Sequence, residues 1–224
     1  MLTLKKLTLG LISAAFLSII SSPAKAINIT TGGITAPGQG QVSAVPGSIS
    51  VNFDNGQLPS SGPVIYSPFT NDPAIVTGNI GGLSQPADDN TPYLAVAPLG
   101  NAAGVTGAVT INFAQTLDYF GLYWGSIDAF NFIRFFNNNT VVGEFSGSNI
   151  PGTGDLFVNF FADPGETFNR IILSSSAVGF ESDNHAFRLA QVPTQVPEPA
   201  SILALLACAA LGANSLVKQK SKAA

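Results

Sequence analysis

The chain has 224 residues, of which 46% are apolar and 10% charged; it carries 23 glycines, 15 prolines, one cysteine and one histidine, and its formal net charge is −4. One cysteine and one histidine exclude a disulfide-stapled scaffold and a His/Cys metal site. All six lysines lie near the two ends, so residues 27–195 keep three arginines against twelve acidic residues, a formal charge of −9. A body this acidic repels phosphate backbones, which argues against nucleic-acid binding. It attracts divalent cations and favours solubility.

Lys5 and Lys6 precede an apolar stretch, Leu7 to Ile20, and Ala24-Lys25-Ala26 has the small-x-small form of a cleavage site. This is the pattern of a secretory signal over 1–26, a signal helix handled by the Sec translocon and cut by signal peptidase beside Ala24 and Ala26. The apolar run is shorter than the roughly 20 residues of a membrane span. The mature chain is expected to begin at Ile27. Residues 27–48 (INITTGGITAPGQGQVSAVPGS) are rich in glycine and proline and read as a flexible leader.

Residues 49–192 show no stretch of a dozen residues with helical periodicity. Short runs rich in β-formers alternate with turn residues, the pattern of an all-β sandwich or barrel. Strands are expected over 49–53, 74–80, 93–97, 108–113, 118–124, 131–136, 141–145, 156–161, 168–174, 178–181 and 186–191. Residues 54–72, with Pro59, Pro63 and Pro68, and residues 81–92 read as long loops. About eleven strands suit two packed antiparallel sheets, a jelly-roll-like β-sandwich. Asn137, Asn138 and Asn139 separate two β-prone runs, and asparagine tolerates the left-handed backbone of a tight hairpin. Between Asp118 and Trp124, Phe120, Leu122 and Trp124 share one face, with Tyr119 and Tyr123 on the other. This places a core side and a half-covered side on one central strand.

Catalytic constellations are scarce. A Ser/His/Asp triad would have to use His185, which is expected in a surface loop, and no Gly-x-Ser-x-Gly elbow opens a helix. Glu144, Glu166 and Glu181 sit in no glycosidase-like motif. Carboxylates gather instead near the ends of the body. In jelly rolls the first and last strands often lie side by side, so Asp54, Glu181 and Asp183 are candidates to converge on a Ca²⁺, which takes six to eight oxygens. Asp88-Asp89-Asn90 is a second oxygen-rich loop, although Asp and Asn in turns usually bond their own backbone. No cofactor is required by the pattern. Tyr93, Tyr119, Tyr123 and Trp124 are the aromatics available for stacking on a sugar. Trp124 fits better as a core residue with its N–H bonded near a sheet edge.

The last segment, 193–224, orders three features. Pro197, Glu198 and Pro199 form a short polar motif, an apolar helix is expected over about 200–217, and Lys218, Lys220 and Lys222 close the chain. The prolines cannot enter the helix interior, and basic residues after an apolar span stay on the cytoplasmic side. Cys208 falls inside the apolar run. This order resembles the PEP-CTERM sorting signal of bacterial surface and exopolysaccharide-associated proteins, although lysine stands where that family commonly has arginine. Two body segments, Asp118 to Ser126 and Gly179 to Phe187, are similar to stretches of exosortase-dependent surface proteins, the second through its Phe180-Glu181-x-Asp183-Asn184 ending. The resemblance implies that a membrane cysteine protease, the exosortase, recognises the Pro197–Pro199 motif and removes the tail. It offers no catalytic residues.

The sequence therefore leads to an exported, noncatalytic all-β protein, held transiently in the inner membrane by its C-terminal transmembrane helix and then placed at the cell surface or outside. Association with exopolysaccharide in an extracellular matrix or biofilm is the expected role. The alternative is a carbohydrate-binding module for a specific glycan, which requires Tyr119, Tyr123 or Trp124 to be exposed. A secreted hydrolase would require clustered carboxylates in a cleft or a partnered His185.

Overall fold

The computed structural model describes residues 27–70, 74–96 and 107–191. The chain divides into two compact units, Met1–Ala190 and Gln191–Ala224, and the architecture below is that of the first. Among the described residues no helix is long and apolar enough to cross a membrane. The expected signal helix and transmembrane helix lie outside the described residues.

The described unit is all-β and antiparallel. In chain order the strands are β1 (Ile27–Thr31), β2 (Ile34–Thr35), β3 (Gln41–Val42), β4 (Ile49–Val51), β5 (Val64–Thr70), β6 (Ala74–Val76) and β7 (Tyr93–Val96). They continue with β8 (Gly107–Gly125), β9 (Asn131–Asn137), β10 (Thr140–Ser146), β11 (Leu156–Ala162), β12 (Phe168–Ser175) and β13 (Phe180–Leu189). A single 3₁₀ turn, Gly147–Asn149, follows β10.

Strand β8 organises the fold. A straight strand of its 19 residues would run about 60 Å, longer than a domain of this size is wide, roughly 40 Å. Its two halves accordingly serve different partners. Residues 108–113 pair with β12 on one side and β5 on the other, with Ile111 opposite both Ile171 and Tyr66. Residues 119–124 pair with β11 and β13, with Phe120 opposite Phe160 and Phe187. The inward alternation changes phase between the halves: Val109, Ile111, Phe113 and Leu117 face the core first, then Phe120, Leu122 and Trp124. A register shift between Phe168 and Arg170 of β12, opposite this stretch, marks the change. One section is thus β10-β9-β12-β8-β5. The other is β1-β11-β8-β13, with β7 and β4 both on the far side of β13 and β6 beyond β7. Both sections contribute to one apolar core, an arrangement consistent with a β-sandwich.

Phenylalanine dominates that core. The Phe135 ring lies 5.0 Å from those of Phe160 and Phe168, 6.2 Å from Phe145 and 6.4 Å from Phe120. Edge-to-face and tilted pairs of this kind add about 0.5–1.5 kcal/mol each beyond area burial. Trp124 stacks on Phe180 at 4.6 Å.

The hairpin expected at the asparagines is present. Asn137 pairs with Thr140, and Asn138 takes the left-handed backbone, φ +53°. Other expectations change. The stretches 108–113 and 118–124 fuse into β8, and 178–181 and 186–191 fuse into β13. Pro68 does not keep 54–72 a loop, because β5 pairs with β8 alone among the described strands and a proline on a sheet edge breaks no second ladder. The leader 27–48 is corrected as well. β1 pairs along its whole length with β11, and β2 pairs with β3. The β2–β3 segment covers the tyrosine side of β8: at Gly40, φ +63°, a Cβ would stand 2.1 Å from the Tyr123 ring, so only glycine lets the chain pass so close.

Candidate functional site

The most unusual stretch is the polar run of β13, Glu181-Ser182-Asp183-Asn184-His185. All five residues are buried, none more than 4% exposed. A strand of five consecutive polar residues survives inside a protein only if each side chain finds partners. Here four of the five grip other parts of the chain, and Ser182 bonds His185 within the run.

Glu181 Oε1 accepts the Ser84 N–H at 2.9 Å, while Oε2 is buried without a hydrogen-bond partner. Burial pushes its carboxyl up to about 7, against the lowering effect of the Ser84 bond. Asp183 accepts the Asn184 N–H at 2.7 Å and the Thr91 hydroxyl at 3.1 Å. Burial, and then Asp89 beside it, hold it well above the usual carboxylate range. Thr91 also bonds Asp89 Oδ1 through its N–H and its hydroxyl. Asn184 has a left-handed backbone, φ +50°, within the register shift of β13. Its Nδ2 donates to the carbonyls of Gln39 at 2.6 Å and Gln41 at 3.2 Å. His185 Nδ1 lies 2.7 Å from the Tyr66 hydroxyl and Nε2 2.9 Å from Ser182 Oγ. The imidazole packs against the rings of Phe53, Tyr66 and Phe120. The run therefore ties the 84–91 loop, the N-terminal segment and β5 to the last strand.

His185 is thus not a surface-loop residue; it is 0% exposed at the centre of the core. Ser182 and His185 have nucleophile–base spacing, yet the third position is taken by a tyrosine. Burial drives the imidazole down to about 3, far from the near-neutral value that serves a general base. With Ser182 also fully buried, the geometry holds the core together and offers no route to a substrate.

The expected neighbours β4 and β13 do pair, with Val51 opposite His185. Asp54, however, is exposed and accepts from Asn52 Nδ2 at 2.8 Å and Gln39 Nε2 at 3.3 Å. Among the described residues no three His, Cys, Asp or Glu side chains gather as a metal-binding group. Asp54 is therefore not brought together with Glu181 and Asp183; the carboxyl beside Asp183 is Asp89, from the other acidic loop.

The aromatic platform is corrected in the same way. Tyr119, Tyr123 and Trp124 are 0%, 2% and 0% exposed. Tyr119 bonds Ser43 and Asn159, and Tyr123 donates to the Ala87 carbonyl. Trp124 is the core residue expected, but its Nε1 is buried without a partner. Ala24, Ala26, Pro197, Glu198, Pro199, Lys218, Lys220 and Lys222 lie outside the described residues.

Two open grooves lie elsewhere, on the outer face of the β10-β9-β12-β8-β5 section. A groove of about 240 Å³ is lined by Phe132, Arg134, Glu144, Ile172 and Ser174. A second of about 310 Å³ is lined by Asn112, Phe113, Asn138, Asn139, Asn169 and Arg170. Arg134 holds Glu144 through two bonds, at 3.0 and 2.6 Å. The Arg170 guanidinium lies 4.3 Å over the Phe136 ring. The alternation of Phe132, Arg134 and Phe136 with the core residues Ile133 and Phe135 was the available signal for this outer face. No protein-family model matches the chain, and no curated protein or solved structure matches it.

Proposed function

We propose that this chain is an exported, noncatalytic surface or extracellular-matrix protein, a jelly-roll-like sandwich sorted by an exosortase and associated with exopolysaccharide. The observation that carries the reading is the order of the C-terminal segment: Pro197-Glu198-Pro199, an apolar run and three lysines. The N-terminal signal pattern and a β-rich body without cysteine agree with it. The polar run of β13 supports a structural assignment, because its one histidine is neutral and sealed. The role requires no cofactor. The carbohydrate-module alternative, as built on Tyr119, Tyr123 and Trp124, loses its platform.

The test is Glu198→Ala in a host that carries an exosortase. The expected result is a protein retained at full tail length in the inner membrane, while the parent is shortened and found outside. Normal processing of the variant, seen as an unchanged intact mass, would sink the assignment.

A further inference from the structure

The grooved outer face has a composition at odds with the rest of the body. Of the three arginines in residues 27–195, Arg134 is paired with Glu144 and Arg188 with Asp118. Arg170 has no carboxylate partner among the described residues. Its groove is lined by four asparagines and a phenylalanine, and by no acidic residue, in a body of charge −9. The four asparagines and Arg170 can donate hydrogen bonds to an anion, and the phenylalanine is neutral.

We propose that this face binds a short carboxylate-bearing oligosaccharide, with Arg170 taking the carboxylate. The proposal rests on the matrix reading above and names the partner of that protein by its chemistry.

The geometry supplies the parts in order. Arg170, Asn112 and Phe136 stand opposite one another across β12, β8 and β9, so they form one row of the outer face. The Phe136 ring beneath the guanidinium fixes its plane, which suits the two-point bonding of a carboxylate. Asn138 and Asn169 lock each other: the Asn138 N–H donates to Asn169 Oδ1 at 2.8 Å, and Asn169 Nδ2 to Asn138 Oδ1 at 3.0 Å. Their position is set before any ligand arrives. Asn112 and Asn139 are exposed, and their amides make no hydrogen bond among the described residues, leaving donors and acceptors for vicinal hydroxyls.

A volume of about 310 Å³ is at the lower end of small-molecule sites, so the groove takes one ring at a time. The neighbouring groove begins two residues along β12, about 7 Å away. There the half-exposed Phe132 ring offers an apolar face for the next sugar. The two grooves together form a track for a chain of a few rings. A long polyphosphate is disfavoured by the charge of the body, whereas a short sugar acid brings few charges, meets none of the same sign in the lining of the Arg170 groove, and in the neighbouring groove meets one carboxylate, Glu144, already paired with Arg134.

The experiment is calorimetric titration of the whole chain, purified in mild detergent, with a tri-uronate and with the matching neutral trisaccharide. The acidic trimer is expected to bind at least about tenfold more tightly, the scale of one charge-assisted contact. Arg170→Gln should abolish that preference and Arg170→Lys should restore part of it. Asn112→Ala with Asn139→Ala should weaken both sugars equally, and thermal melts of each variant check the fold. No binding of either trimer, or an undiminished preference in Arg170→Gln, overturns the proposal. Loss of the sugar site with normal Glu198-dependent processing removes this inference alone; sugar binding with processing that ignores Glu198 removes the sorting assignment alone.

Discussion

His185→Leu tests whether the polar run of β13 holds the fold by neutral hydrogen bonding. The substitution keeps an apolar body of similar size but leaves the Tyr66 and Ser182 hydroxyls, 2.7 and 2.9 Å from the imidazole, buried without it. An orphaned buried hydroxyl costs about 1–3 kcal/mol, so the loss at neutral pH should be roughly 2–6 kcal/mol in urea unfolding. Adding Tyr66→Phe removes one orphan, so the double variant should be less destabilised than the sum of the singles, by about 1–2 kcal/mol. The pH dependence is the sharper readout. The imidazole sits at about 3 in the folded protein against an ordinary 6.5, so the unfolded chain takes the proton more readily. The stability from neutral His185 is complete above 6.5 and is lost as pH falls towards 3. At pH 4.5 the parent should have given up about 3 kcal/mol through this group, and the leucine variant none. Carboxyl titrations are common to both proteins and cancel in the difference. The gap between parent and variant should therefore shrink by about 3 kcal/mol between pH 7.5 and 4.5. A gap that stays constant would show that His185 is not held neutral, and the account of the core would fail.

Two further outcomes follow from the same strand. Asn184→Ala should cost about 2–4 kcal/mol, from the lost bonds to Gln39 and Gln41 and the strained left-handed backbone. It should also speed proteolysis within residues 33–48, and Asn184→Gly, which relieves only the strain, should recover the smaller part. Glu181 is raised from 4.5 to about 7, so its neutral form stabilises the fold fully below 4.5 and that contribution disappears as pH rises to 7. Glu181→Gln keeps the Ser84 bond and should gain about 2–3 kcal/mol on the parent between pH 5 and 8; parallel urea curves at the two pH values would refute this.

Much of the fold was legible because β-formers alternate cleanly where one face is buried. Phe120, Leu122 and Trp124 against Tyr119 and Tyr123 gave the correct division of faces, and three asparagines gave the hairpin. What the pattern concealed has definite causes. β5 lies at a sheet edge, where Pro68 is tolerated, and Gly32 and Gly33 follow directly on β1, so breaker residues masked real strands. Residues 182–185 looked like a loop because composition reports polarity, while burial depends on partners distant in sequence, such as Tyr66 and Gln39. The same distance governs the grouping of the candidate carboxylates and the exposure of the candidate aromatics. Neighbouring strands were correctly paired, but whether Asp54 turns towards Asp183, or Tyr123 towards solvent, is decided by what covers them, and the covering segment was itself read as loose.

The location of the polar run matters for how such a chain reaches its final state. β13 supplies partners to β8, β7 and β4 and holds segments as far apart as Gln39, Tyr66 and Thr91. None of those bonds can form before residues 181–185 are available. If the chain crosses a membrane from its N-terminus, as proposed, the run emerges shortly ahead of Pro197, its last residue being His185. Until then Glu181 and Asp183 are solvated and free to ionise, and the β2–β3 segment lacks the Asn184 bonds that fasten it. On the proposed export route, the core of the body closes only after residues 181–185, in the last strand of the described unit, have crossed.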